Sequence, residues 1–212
     1  MVLAGSNALA AEPIDTDGPD FVESSEVVGK GRAQFEADVT SARVTTLLRL
    51  GVADTVELRA EAEGREDFAI GIKWHSLDRN PAAGVPALSW IFHYDTQRTP
   101  TLRSVATWDL PHELALGVMP GARFDVTSGG HRFVSGIFGA ALNKRWSGNF
   151  RTFVEISAPQ IASSQDGGVL LYRSVGAAYL VMHDWQIGAR ATSAVTRNTP
   201  SGQLLFELAG RY

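Results

Sequence analysis

The chain has 212 residues, no cysteine, 20% charged residues and a formal net charge of −4. That length suits one large domain, and the missing cysteine excludes disulfides, thiol nucleophiles and thiolate metal sites. The mild acidic balance, with no basic cluster among aromatics, gives no case for nucleic acid. No apolar run reaches the roughly 18 residues that a membrane-spanning helix needs.

In chain order, residues 1–11 (MVLAGSNALAA) carry a small-x-small pattern at Ala8-Leu9-Ala10. They read as the remnant of an export signal. Residues 12–30 (EPIDTDGPDFVESSEVVGK) are acidic, with two prolines, two glycines and no usable period. They are expected to form an extended periplasmic leader, part of which, around Phe21, tucks into the lower lumen of the barrel that follows and narrows it.

From Gly31 onward the pattern is polar-apolar alternation with period two. In Thr55-Val56-Glu57-Leu58-Arg59-Ala60-Glu61-Ala62-Glu63 one face is charged and the other is Val, Leu, Ala, Ala. Side chains alternate faces along a strand, so each such segment is a two-faced ribbon. Twelve ribbons are predicted, near 31–42, 44–52, 55–63, 67–77, 86–95, 102–110, 113–125, 132–143, 149–158, 169–181, 184–196 and 203–212. Tight connections (Ala53-Asp54, Leu110-Pro111-His112, Trp146-Ser147-Gly148, His183-Asp184) alternate with looser ones, although the connection from Leu77 to Pro86 is long for its set. Short turns on one rim, longer loops on the other and strands near ten residues describe an all-β, transmembrane, antiparallel up-and-down barrel over residues 31–212. The tight rim and both termini are then periplasmic.

The apolar face includes Phe35, Leu48, Leu50, Leu58, Phe68, Ile70, Ile72, Trp90, Phe92, Val134, Val154, Ile156, Ile187, Phe206 and Leu208. Trp74, Tyr94, Trp108, Trp185 and Tyr212 fall near strand ends, where aromatic girdles meet the membrane interfaces. The charged face is expected to line a lumen, because an Arg or Lys facing lipid costs about 2–4 kcal/mol at the midplane. The residues placed along a solute path are Arg49, Glu57, Arg59, Glu61, Lys73, His93, Arg103, Arg123, Arg151, Glu155, Arg173, Arg190 and Glu207.

Three stretches resemble the outer-membrane transporters grouped as the "MetA-pathway of phenol degradation" family. They are Pro19-Asp20-Phe21-Val22-Glu23-Ser24 with Gly29-Lys30-Gly31-Arg32, Leu47-Leu48-Arg49-Leu50-Gly51-Val52 with Val56-Glu57-Leu58-Arg59, and Phe68-Ala69-Ile70-Gly71-Ile72-Lys73-Trp74. The resemblance implies an outer-membrane barrel of a Gram-negative cell with a transport role and an undefined solute. Tyr212 stands where such barrels more often end in Phe.

Catalytic patterns are poor. His112-Glu113-Leu114-Ala115-Leu116 lacks the second histidine of a zincin, and His93 with Asp95 offers two ligands where zinc needs more. Gly136-Ile137-Phe138-Gly139 lacks the Lys-Ser/Thr of a phosphate loop. His131 and Ser135 share one strand face with poor mutual reach, so a hydrolase built on the barrel is disfavoured. No cofactor, no metal and no enzymatic activity are expected. The expected partners are outer-membrane lipid, the barrel-assembly machinery and an unidentified small solute. A channel is the leading reading. The alternatives are a structural barrel with a closed lumen and a soluble periplasmic all-β binding protein, the last requiring apolar residues inside and charges outside.

Overall fold

The computed structural model describes residues 13–64, 67–127, 130–196, 199–200 and 202–212. The proposed export-signal remnant lies outside the described residues. Twelve strands form one closed antiparallel barrel in which each strand pairs with its neighbours in sequence and β1 closes onto β12. They are β1 (Ala33–Thr40), β2 (Val44–Ala53), β3 (Val56–Glu63), β4 (Asp67–Leu77), β5 (Ala87–Asp95) and β6 (Pro100–Leu110). The second half comprises β7 (Leu114–Val126), β8 (Arg132–Ser147), β9 (Phe150–Ile161), β10 (Val169–Met182), β11 (Trp185–Ala194) and β12 (Leu204–Arg211). Closure pairs Phe35 with Gly210 and Val39 with Phe206, leaving no unpaired strand edge among the described residues.

The strand edges follow the alternation to within a few residues, and the largest difference is at β8 and β9. These run on to Ser147 and Ile161, which shortens the loop before β10 to 162–168. The wall is taller there than at β1 to β3, so the long strands of one side rise above the short strands of the other.

The cross-strand register turns alternation into two surfaces. One row links Leu50, Leu58, Ile72, Phe92 and Leu102 across five strands, and all of these side chains are exposed. The adjacent row links Arg49, Arg59, Gly71, His93 and Thr101, and Arg49, Arg59 and His93 are buried. Apolar side chains outside and charges inside are the reverse of a soluble barrel, which corrects that alternative reading. A closed barrel with this apolar belt belongs in the outer membrane, because lipid demands that every backbone group be paired and every outward side chain be greasy.

Arg173 is the exception among the predicted lumen residues. Its row runs from Ile156 through Arg173 to Ser193, and it is exposed on the lipid-facing side. A bulge between Leu170 and Tyr172 resets the register there. Beyond it Ser174 and Ala178 face in, while Val175 and Tyr179 face out. Arg173 is the fifth residue of β10 from the outer loop, near the interface, where the cost of a lipid-facing Arg falls to about 0–1 kcal/mol.

Ile70, 56% exposed on the belt, provides the test of this arrangement. Ile70→Arg is expected to lower unfolding free energy in phospholipid vesicles by about 2–4 kcal/mol if the site sits near the midplane, as read by urea titration. A neutral effect would indicate that this face meets water.

Candidate functional site

The lumen is not empty. The leader enters at the periplasmic rim, where the Ile14 N–H donates to the His183 carbonyl (3.0 Å) and Arg211 donates to the Pro13 carbonyl (3.4 Å). It climbs to an apex at Asp20–Glu23 and returns to the same rim at β2 and β3. There the Val28 N–H donates to Glu57 (2.9 Å) and the Gly31 N–H to the Gly51 carbonyl (2.8 Å). Its two limbs are tied together by the Ser24 N–H on Asp17 (3.1 Å) and the Ser24 hydroxyl on Asp15 (2.9 Å). The leader is therefore a luminal plug: Phe21 lies in the lumen as expected, and the rest of the described leader lies inside with it.

The strand register leaves like charges facing each other on the wall where the plug docks. Arg49 and Arg59 stand directly opposite each other on β2 and β3, and Asp38 stands opposite Glu207 on β1 and β12. Like charges facing across strands are destabilising. Asp17 of the plug relieves the first pair, with Oδ2 2.7 Å from Arg59 and Oδ1 3.6 Å from Arg49. The same carboxylate accepts from the fully buried Lys73 ammonium at 2.9 Å. Glu23 bridges Arg59 (2.9 Å) and Arg103 (2.6 Å).

Arg49 is the hub. Its Nε and Nη2 form a two-pronged bond to Glu57 (2.9 and 3.1 Å), and Nη1 donates to Glu36 (3.0 Å). The remaining donors reach the Asp15 carbonyl (3.1 Å) and the Glu26 carbonyl (3.0 Å), one on each limb of the plug. All five guanidinium donors are satisfied, the condition under which a buried Arg is tolerable.

The apex of the plug rests on the other wall. Glu155 accepts the Phe21 and Val22 N–H groups at 2.7 and 2.9 Å, with Arg190 3.7 Å away. Arg151 binds Asp20 (2.9 Å) and the Gly18 carbonyl (3.0 Å). Val22 packs into a buried apolar patch of Ile91, Val105, Met119 and Ala141, flanked by Phe21. A Cβ on Gly139 would lie 2.8 Å from the Val22 side chain and 3.0 Å from the Phe21 ring, so the wall is bare where the apex docks.

Two cavities flank the plug among the described residues. The outer one, about 390 Å³, is bordered by Phe21, Glu61, His93, Arg103, Arg123 and Asp125. The periplasmic one, about 500 Å³, is bordered by Val22, Ser24, Arg79, Asp109 and Arg151. Of the predicted path residues, Arg49, Glu57, Arg59 and Lys73 thus converge on the plug, and Arg151, Glu155 and Arg190 surround its apex. Glu61, His93, Arg103 and Arg123 border the outer cavity, Glu207 bonds Gln186 (3.0 Å) beside the plug, and Arg173 lies outside. His131 and Ser135 are not brought together, since Ser135 is buried on Asp125 while His131 is exposed and stacks on Phe133. The reading of the sequence missed Asp17, Asp20 and Glu23 as partners of wall cations, and missed the apolar patch. The signal for the patch was an apolar residue at charged-face parity, as in Ser89-Trp90-Ile91-Phe92-His93.

Among solved structures the chain is similar to outer-membrane porins. A KdgM porin in complex with disordered oligogalacturonate is 9% identical, with 85% of this chain and 98% of that chain covered and a TM-score of 0.59. NanC porin is 7% identical, with 84% and 97% covered and a TM-score of 0.56. The outer membrane protein Omp33 of Acinetobacter baumannii is 10% identical, with 85% and 97% covered and a TM-score of 0.50. No protein-family profile and no curated protein sequence matches the chain. The chain is an outer-membrane barrel with the porin type of fold.

Asp17 connects the plug to pH. Burial pushes its carboxyl up, but Arg49, Lys73 and Arg59 outweigh burial and hold it well below its ordinary 3.8. A carboxylate depressed in the folded state stabilises fully above its unfolded pKa, and that contribution fades as pH falls from about 3.8 through the lower folded value. Burial pushes Asp15 up, so its ionisation opposes docking and its protonation on acidification partly offsets the loss. Asp17→Asn is expected to lower unfolding free energy at pH 7 by about 3–5 kcal/mol, the cost of breaking one side of a buried ion cluster. Urea titrations at pH 7 and pH 3 should also show a smaller acid-induced drop in the variant than in the wild type.

Proposed function

We propose that the protein is an outer-membrane channel for a small solute bearing an anionic group, held closed by its own leader. One observation carries this reading. Four wall cations, Arg49, Arg59, Lys73 and Arg103, meet two wall carboxylates, Glu36 and Glu57, and two plug carboxylates, Asp17 and Glu23. With the plug withdrawn, the cations outnumber the acids at the constriction, and the vacated positions suit a solute's carboxylates. The backbone N–H groups now on Glu36, Glu57 and Glu155 leave acceptors for the solute's own donors.

Charged constrictions select ions by sign. Glu61, Asp95 and Asp125 also border the outer cavity, where Asp125 is paired with Arg123 at 2.6 Å, so the basic stretch at Arg49, Arg59 and Lys73 has the larger say. The neighbour with bound oligogalacturonate, an acidic saccharide, agrees in charge with this assignment. The resemblance to the "MetA-pathway of phenol degradation" transporters agrees with the transport role and says nothing of an aromatic solute. The competing reading is a structural barrel with a permanently closed lumen, favoured by the complete burial of Arg49, Glu57 and Lys73.

Planar-bilayer recording distinguishes the two. Deleting residues 13–28 is expected to raise single-channel conductance severalfold and to move the reversal potential toward anions. Gly139→Leu, which pushes Val22 and Phe21 from their seat while leaving every charge in place, should raise open probability. Wild-type conductance in both folded variants would leave the closed structural barrel as the answer.

A further inference from the structure

On the β8–β11 side the lipid-facing belt carries a groove of about 570 Å³. Ala177, Ala189 and Ala191 lie at its floor, and Leu142, Val154 and Leu204 rise around it. Cross-strand register places these side chains on the lipid side. One row runs from Lys144 through Thr152 and Ala177 to Ala189, and the next from Leu142 through Val154 and Val175 to Ala191 and Leu204. The groove falls in the size range of small-molecule sites, about 300–1,000 Å³.

Its periplasmic end is not apolar. Lys144 lines the groove three residues before the end of β8, with its ammonium 5.6 Å from the centre of the Trp146 ring. Lys144 donates to the His112 carbonyl in the β6–β7 turn, and an ammonium has two further donors to offer. The Trp146 ring is 64% exposed, and its N–H donates to the Thr152 hydroxyl at 2.8 Å. A cation and an indole at the interface, opening upward into an apolar groove, match a molecule with an anionic head and a hydrocarbon tail.

We propose that this groove is a specific site for one phospholipid of the periplasmic leaflet, its phosphate on Lys144 and an acyl chain along Ala177, Ala189 and Ala191. Charge complementarity at Lys144 selects the lipid over a second copy of the chain. The groove is concave in every copy, so a two-fold contact through it would oppose two hollows and leave a void, whereas a flexible acyl chain fills one. Binding to the folded barrel alone stabilises it by mass action.

Native mass spectrometry of the full-length protein, delipidated in detergent and titrated with dioleoyl phosphatidylglycerol, tests the site. The wild type should retain one lipid per barrel under conditions that strip the rest. Lys144→Gln is expected to weaken that binding about fivefold, the effect of one interfacial cation on an anionic lipid, while Lys144→Arg retains it. Ala189→Leu fills the groove and should abolish the retained lipid, and Ala60→Leu, on the far side of the barrel, should leave it intact. Should Ala189→Leu fail to fold, the Gln and Arg variants at Lys144 still decide the matter. Equal retention by wild type and Lys144→Gln, no retained lipid in the wild type, or a dimer abolished by Ala189→Leu would each overturn the proposal.

Discussion

The rest of the structure depends on a single guanidinium. Arg49 sits on β2 with its side chain 1% exposed and distributes five donors over Glu57 on β3, Glu36 on β1 and two carbonyls of the leader. Buried between wall and plug, each of those bonds is stronger than in solvent, and each missing one would be correspondingly costly. The barrel wall supplies three of the five. The leader must supply the other two, so wall and plug are one electrostatic unit although they belong to distant parts of the chain.

This arrangement explains why a segment with no periodicity and a strongly acidic composition has a defined place. Its carboxylates are the counter-ions that the wall omits, and its backbone N–H groups serve wall acids at Glu36, Glu57 and Glu155. Apolar contact is a minor partner, confined to Val22 and Phe21 on the Ile91–Met119 patch. Buried ion clusters seldom outdo a hydrophobic core in net stability. What a charged seam of this kind retains is the option of being replaced, ion for ion, by something else that is charged. A greasy plug would leave behind a greasy hole with no affinity for a polar solute.

Alternation alone made the barrel legible. Leu58 beside Arg59, and Ile72 beside Lys73, declare opposite faces because the side-chain period of a strand is two, whatever surrounds it. Arg173 obeys the same rule, sharing parity with Val175 and Tyr179, which face out; its charge, not its parity, was what pointed inward. Ile91, Val105 and Met119 were passed over for a related reason. They are apolar residues at charged-face parity, and period two assigns them a face without saying what they touch there.

The amino-acid sequence by itself determined the strand count, the inward and outward faces, the rim that carries the short turns and the acidity of the leader, all of them local properties read within about ten residues. Only the tertiary structure decided that Arg49 faces Arg59, that Asp17 lies between them and Lys73, and that the whole described leader, not only the stretch around Phe21, turns back inside the lumen. Those outcomes depend on cross-strand register and on contacts spanning 19 to 198 residues of chain. Composition and periodicity carry no record of such distances.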